Sequence, residues 1–175
     1  MIDWEKITLE DLAGFLSEEL RKRDIDVILV GGACVTIYSR NLYQSYDLDF
    51  IAYEDMKKVK LALEELGFYE KGGYFCHHKS DWFIEFVSSP VAVGNEIISE
   101  FELMQVQTGK IKMLRVEDSV KDRVAGYFYW QGLDQAITIS LERKVDLKEV
   151  ENWSIKEGFQ KEFQEFLNRL EKDKK

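Results

Sequence analysis

Asp47 and Asp49, in the run Ser45-Tyr46-Asp47-Leu48-Asp49-Phe50-Ile51, are the residues whose type and spacing best suit chemistry. Two residues apart on a strand, both carboxylates share one face. Tyr46, Leu48 and Phe50 then point the other way, toward a core. Upstream, the apolar run Val27-Ile28-Leu29-Val30 ends at Gly31-Gly32, which reads as a buried strand and a tight turn opening a helix. Paired carboxylates bind hard divalent cations, and a helix start next to glycines admits a phosphate. The combination predicts a site for a divalent metal and a phosphorylated ligand. A third acid, Glu85, sits inside the apolar run Trp82-Phe83-Ile84-Glu85-Phe86-Val87. An unpaired charge buried in such a strand costs several kcal/mol, so this acid needs a reason to be there.

The elements that hold these residues follow from periodicity. Thr8 and Asp11 form an N-cap pair ahead of Leu12, Phe15, Leu16 and Leu20, which predicts a helix over 9–23. A buried strand over 25–30 and a short helix over 33–39 come next, then a polar loop over 40–44 and the carboxylate strand over 46–52. Met56, Val59, Leu63 and Leu66 predict a helix that stops at Gly67. Two strands are expected near 74–77 and 82–87, joined by a turn at Lys79-Ser80-Asp81, and a hairpin is expected over 102–116 around Gln107-Thr108-Gly109. Helices are expected over 117–130, 134–142, 147–156 and 160–172, with Gly132 and Gly158 as breaks and Asp146 as an N-cap. Interleaved strands and helices followed by helices alone predict an α/β (α+β) mixed sheet flanked by helices. The core spans residues 1–116, and a helical C-terminal subdomain, 117–175, packs on it.

With 45% hydrophobic and 13% aromatic residues among 175, the chain can bury a core. Its apolar runs are too short to span a bilayer, and Met1–Glu5 lacks the features of a signal peptide. Two cysteines, Cys34 and Cys76, make neither a disulfide framework nor a metal-ligand spacing, so a reduced, cytoplasmic protein is expected. A net charge of −9 argues against a broad surface for duplex DNA. His77-His78 reads as hairpin surface, and Cys34 as a small packed side chain. Tyr127, Phe128, Tyr129 and Trp130 can stack a nucleobase, but at helical spacing they are expected between the helical part and the core.

In order and spacing, Val27–Val30, Gly31-Gly32, the following helix and Asp47-Leu48-Asp49 resemble the nucleotidyltransferase superfamily with the DNA polymerase beta-like catalytic fold, in its small stand-alone prokaryotic form. Ser45, two places before the first Asp, matches the same pattern. The resemblance implies transfer of a nucleoside monophosphate from a Mg²⁺-bound (or Mn²⁺-bound) NTP, such as ATP, to an acceptor hydroxyl by a two-metal mechanism. It implies that Asp47, Asp49 and Glu85 hold the metals, with Glu85 also helping to deprotonate the acceptor. The superfamily more often has Asp at the position of Glu85. Gly31, Gly32 and Ser45 would border the triphosphate. Lys121, in Val116-Glu117-Asp118-Ser119-Val120-Lys121, is the implied phosphate contact, with Arg123 as substitute; the structural reading of Lys121 is a surface pair with Glu117. Many members place an arginine shortly before the first Asp, whereas Arg40 lies further back here, and the stretch from Gly32 to Asp47 is longer than usual. Acceptors of relatives include antibiotics, RNA ends and proteins, and several small members pair with a partner toxin. The alternative is a catalytically silent relative that binds nucleotide or a partner, such as an antitoxin.

Overall fold

A computed structural model describes residues 2–129 and 131–174. Among these, the elements in chain order are α1 (Leu9–Arg21), β1 (Val27–Val30), α2 (Gly31–Tyr38), β2 (Asp47–Ala52), α3 (Met56–Glu65), β3 (Phe68–Lys71), β4 (Tyr74–His77), β5 (Ser80–Phe86), β6 (Ala92–Val93), β7 (Glu96–Ile97), β8 (Phe101–Val106) and β9 (Gly109–Leu114). Four helices complete the chain: α4 (Val116–Ala125), α5 (Gly132–Glu142), α6 (Leu147–Glu157) and α7 (Gln160–Asp173). Seven strands form one mixed sheet in the order β3-β4-β5-β2-β1-β9-β8, and β6 and β7 form a separate small hairpin. The α/β class with a helical C-terminal part therefore holds.

β1 lies near the middle of the sheet, antiparallel to β2 and parallel to β9. All four of its residues are buried, as a continuous apolar run requires. β2 and β5 run parallel, with Leu48 beside Ile84 and Asp49 beside Glu85. Leu48, Phe50 and Ile84 are fully buried on one face of this pair, so the acids must take the other. Local caps hold the helix starts as expected. Thr8 accepts from the Asp11 amide, and Asp146 accepts from the amides of Lys148 and Glu149.

Several elements differ from the sequence expectation. α2 begins on the glycines themselves rather than after them. Phe68–Lys71 is a third strand of the β3–β4–β5 meander, with the turns at Gly72-Gly73 and His78-Lys79. Only Phe68 in that strand is buried, so it carries no alternating signal. α4 stops at Ala125 with Gly126 as its cap, well short of residue 130. Phe128 and Tyr129 are consequently exposed instead of filling an interface, Tyr127 packs partly against the core, and Trp130 lies outside the described residues. Tyr46 precedes β2 and is 76% exposed, so it does not enter the core as expected. The His77 and His78 rings stack on Trp4 and Tyr69. Cys34 is fully buried and donates to the Leu29 carbonyl; burial pushes its thiol up to about 12. No helix among the described residues is long and apolar enough to cross a membrane.

Ion pairs join α4 to α6 within the helical part, and Arg143 ties that part to the core. Lys121 on α4 donates to Asp118 at 2.9 Å and to Glu149 of α6 at 2.7 Å, and Arg115 donates to the same two carboxylates. Lys121 and Asp118 are almost wholly buried. Burial alone would pull the lysine pKa down, but the hydrogen bonds it donates to Glu149 and Asp118 outweigh it, and the net direction is upward. The surface pair with Glu117 is not formed; Glu117 accepts from the Asp146 amide instead. Arg143 of the segment after α5 donates to the carbonyls of Tyr38 and Ile37 at the end of α2. Lys121→Met leaves the buried Asp118 carboxylate short of a partner and is expected to cost about 3 kcal/mol, measured by urea denaturation.

Candidate active site

Pairing of β2 with β5 sets the centre of the site. Asp49 stands beside Glu85 in register, and Asp47 is two residues earlier on the same face. One carboxylate oxygen from each of Asp47, Asp49 and Glu85 lies within 4.8 Å of the others. That separation is short enough for a single cation with oxygen ligands at about 2.0–2.6 Å to touch all three. The three acids open into a cleft of about 440 Å³, lined also by Gly31, Gly32, Tyr43, Ser45, Val87 and Arg123.

Asp49 carries the electrostatic strain of this arrangement. Desolvation first, then the neighbouring Asp47 and Glu85 carboxylates, push its pKa from 3.8 up to about 6. The positive charge of Arg123 works in the opposite direction. A divalent cation at the triad would neutralise the same repulsion, and the all-oxygen donor set suits Mg²⁺ or Mn²⁺.

The glycines are explained by what a side chain would strike. Gly31 has φ +67°, and a Cβ there would fall 2.2 Å from Oδ2 of Asp49. A Cβ on Gly32 would fall 2.7 Å from Oγ of Ser45. Val30 precedes the helix and supplies no side-chain cap to the first-turn amides of α2. Ser45 is a positioning group: its hydroxyl donates to Asp47 at 2.7 Å, and its amide donates to Thr36 at 2.9 Å. Thr36 in turn donates to the Gly32 carbonyl, which links the helix start to the carboxylate strand.

Of the seven residues proposed from sequence, six meet in this cleft: Asp47, Asp49, Glu85, Gly31, Gly32 and Ser45. Lys121 does not. It faces Asp118 and Glu149 on the other side of α4, while Arg123 lines the cleft. Arg123 is held by the Asp122 carboxylate next to it and by Gln135 of α5, to which it donates at 3.0 Å. Arg40 lies outside the cleft and pairs with Glu142. Tyr43 went unnoticed in the sequence, where the polar loop around it carries no periodicity.

The fold has solved counterparts. A crystal structure of an antigenic nucleotidyltransferase-like protein from Paracoccidioides brasiliensis superimposes with a TM-score of 0.57 at 13% identity, covering 75% of this chain and 74% of the other. The antibiotic-resistance factor ANT(2'')-Ia matches in solution with a TM-score of 0.51 at 13% identity, covering 94% and 95%. Its crystal structure in complex with adenylyl-2''-tobramycin matches with a TM-score of 0.54 at 14% identity, covering 93% and 99%. No protein-family model and no curated protein matches the sequence. The chain therefore has a nucleotidyltransferase-like fold.

Two outcomes follow from the geometry. Because the folded-state pKa of Asp49 is raised, its contribution to stability is complete below pH 3.8 and is lost as pH rises through about 6. After allowance for solvent screening the loss is about 2 kcal/mol. Denaturant titrations of the metal-free protein between pH 4 and 7 should show this fall, and Asp49→Asn should flatten it. Gly31→Ala forces a side chain into the Asp49 carboxylate at a positive φ and is expected to cost about 2 kcal/mol or more by the same assay.

Proposed function

We propose that the protein is a metal-dependent nucleotidyltransferase that moves a nucleoside monophosphate from an NTP to an acceptor hydroxyl. The observation that carries this reading is the meeting of Asp47, Asp49 and Glu85 within 4.8 Å, directly beside a helix start where only glycine fits. The fold shared with ANT(2'')-Ia, whose crystal structure contains adenylyl-2''-tobramycin, supports the same class of chemistry. Its ligand makes aminoglycosides the first acceptors to screen.

In this reaction the acceptor oxygen forms a bond to the α-phosphorus as the bond to the bridging oxygen breaks, and pyrophosphate leaves. Asp47, Asp49 and Glu85 would hold Mg²⁺ or Mn²⁺, which supplies Lewis-acid stabilisation of the phosphoryl charge. Glu85 on β5, beside Asp49, takes the acceptor proton. Gly31 and Gly32 let the backbone approach the triphosphate, and Arg123, which also lines the cleft, meets its negative charge. Ser45 keeps the Asp47 carboxylate in one orientation. Arg123 takes the phosphate role considered for Lys121, whose ammonium is committed to Asp118 and Glu149.

The decisive experiment is thermal unfolding with each NTP, with and without Mg²⁺ or Mn²⁺, on wild type and on Asp47→Asn/Asp49→Asn. A ligand that binds only the folded chain, at a hundred times its Kd, adds about 2.7 kcal/mol, or roughly 5–10 °C for a chain of this size. The expected result is a metal-dependent shift with at least one NTP that the double variant loses. No shift with any nucleotide would favour a catalytically silent relative that binds a partner.

A further inference from the structure

Tyr43 borders the cleft without a part in metal binding or proton transfer. Tyr43 belongs to the segment between α2 and β2, after the turn made by Arg40 and Asn41, both at positive φ. Its amide donates to the Ser39 hydroxyl, which fixes the backbone at its base. Its ring packs partly against the hydrophobic core. Its hydroxyl reaches the glycine turn: a Cβ on Gly32 would lie 3.6 Å from the Tyr43 oxygen. The Tyr43 side chain thus borders the same part of the cleft as Gly32 and Ser45.

Its hydroxyl makes no hydrogen bond to any described residue. The neighbouring polar groups have partners of their own: Ser45 gives its hydroxyl proton to Asp47, and Thr36 gives its own to the Gly32 carbonyl. A phenol fixed by its ring and backbone, with its donor turned into a polar cleft, is suited to an anionic oxygen. None of the cleft's own carboxylates takes a hydrogen bond from it, and Asp47 is served by Ser45 instead, so the anion it meets is one held at the glycine turn rather than one of the protein's own acids.

We propose that Tyr43 is a substrate-binding residue whose hydroxyl donates a hydrogen bond to the β- or γ-phosphate of the NTP at the Gly31-Gly32 turn. The inference rests on the reading of the cleft as a nucleotidyltransferase site. It makes the grip on the triphosphate two-sided, with the neutral donor of Tyr43 from the α2–β2 segment and the charge of Arg123 from α4. Because this donor serves the part of the substrate that leaves as pyrophosphate, it discriminates a nucleoside triphosphate from a nucleoside monophosphate.

The test is Tyr43→Phe, which removes the oxygen and keeps the ring. Unfolding without ligand should match wild type, since the hydroxyl has no partner inside the protein. Affinities are then measured by calorimetry, in Mg²⁺, for the NTP that stabilises wild type, for inorganic tripolyphosphate and for the corresponding nucleoside monophosphate. A hydrogen bond to a charged oxygen predicts a loss of about tenfold or more for the NTP and for tripolyphosphate, with the monophosphate unchanged. Wild-type affinity of Tyr43→Phe for both triphosphates overturns the assignment while leaving the nucleotidyltransferase reading intact. An equal loss for all three ligands also overturns it, because it shows a general disturbance of the cleft. Failure of the wild-type protein to bind either triphosphate overturns both readings together.

Discussion

Like-charge repulsion at the β2–β5 pair is the constraint around which the structure is arranged. Two carboxylates about 5 Å apart at an effective dielectric near 20 repel by about 3 kcal/mol, and here three are gathered. The sheet leaves them no escape. Leu48, Phe50 and Ile84 fill the core on the opposite face, so slipping either strand by one residue would bury acids and expose apolar side chains. Hydrophobic burial on one side of the pair therefore enforces electrostatic strain on the other. The raised pKa of Asp49 is the direct sign of that strain.

The remaining parts of the cleft depend on elements distant in sequence. The glycine turn must lie under Asp49 because Val30, the last residue of β1, pairs with Asp49 in the ladder. Arg123 comes from the helical part, and its position depends on how α4 is seated. That seating is fixed from the other side of the helix, where the buried Lys121 and Asp118 pair with the partly exposed Arg115 and Glu149. Gln135 of α5 then steadies the guanidinium. Lys121 thus bears on the cleft through Arg123, as a positioning residue for α4.

This arrangement also explains what the sequence could and could not disclose. Asp47, Asp49 and Glu85 were legible because a strand has a period of two and its faces follow from neighbouring residues alone. Gly31 and Gly32 were legible through their order, directly after a buried run and ahead of the paired acids, since a glycine pair alone marks only a tight turn. The choice between Lys121 and Arg123 was different. Two residues apart on an α-helix they are separated by about 200°, so both cannot face one cleft. Which of them does is decided by the packing of α4 on α2 and α6, and local sequence does not contain it. Tyr43 lies in a loop with no period at all. The exposed Phe128 shows the reverse error: aromatic content implied burial, but the helix that would have buried it ends at Gly126.

The charge balance of the cleft gives the proposed reaction an order. The chain is acidic overall, and three carboxylates border the cleft where an NTP, itself highly anionic, would have to enter. Arg123 offsets only part of this, since its guanidinium also serves Asp122. Coulomb's law then opposes entry of an uncomplexed triphosphate, so cation and nucleotide binding are linked: whatever neutralises the triad also favours the phosphate chain. The linkage is reciprocal, and a bound nucleotide should strengthen the cation's hold by the same factor. A silent descendant of this fold would have no need to keep three repelling carboxylates in register, because any one of them replaced by its amide would relieve the strain without disturbing the core face of the sheet.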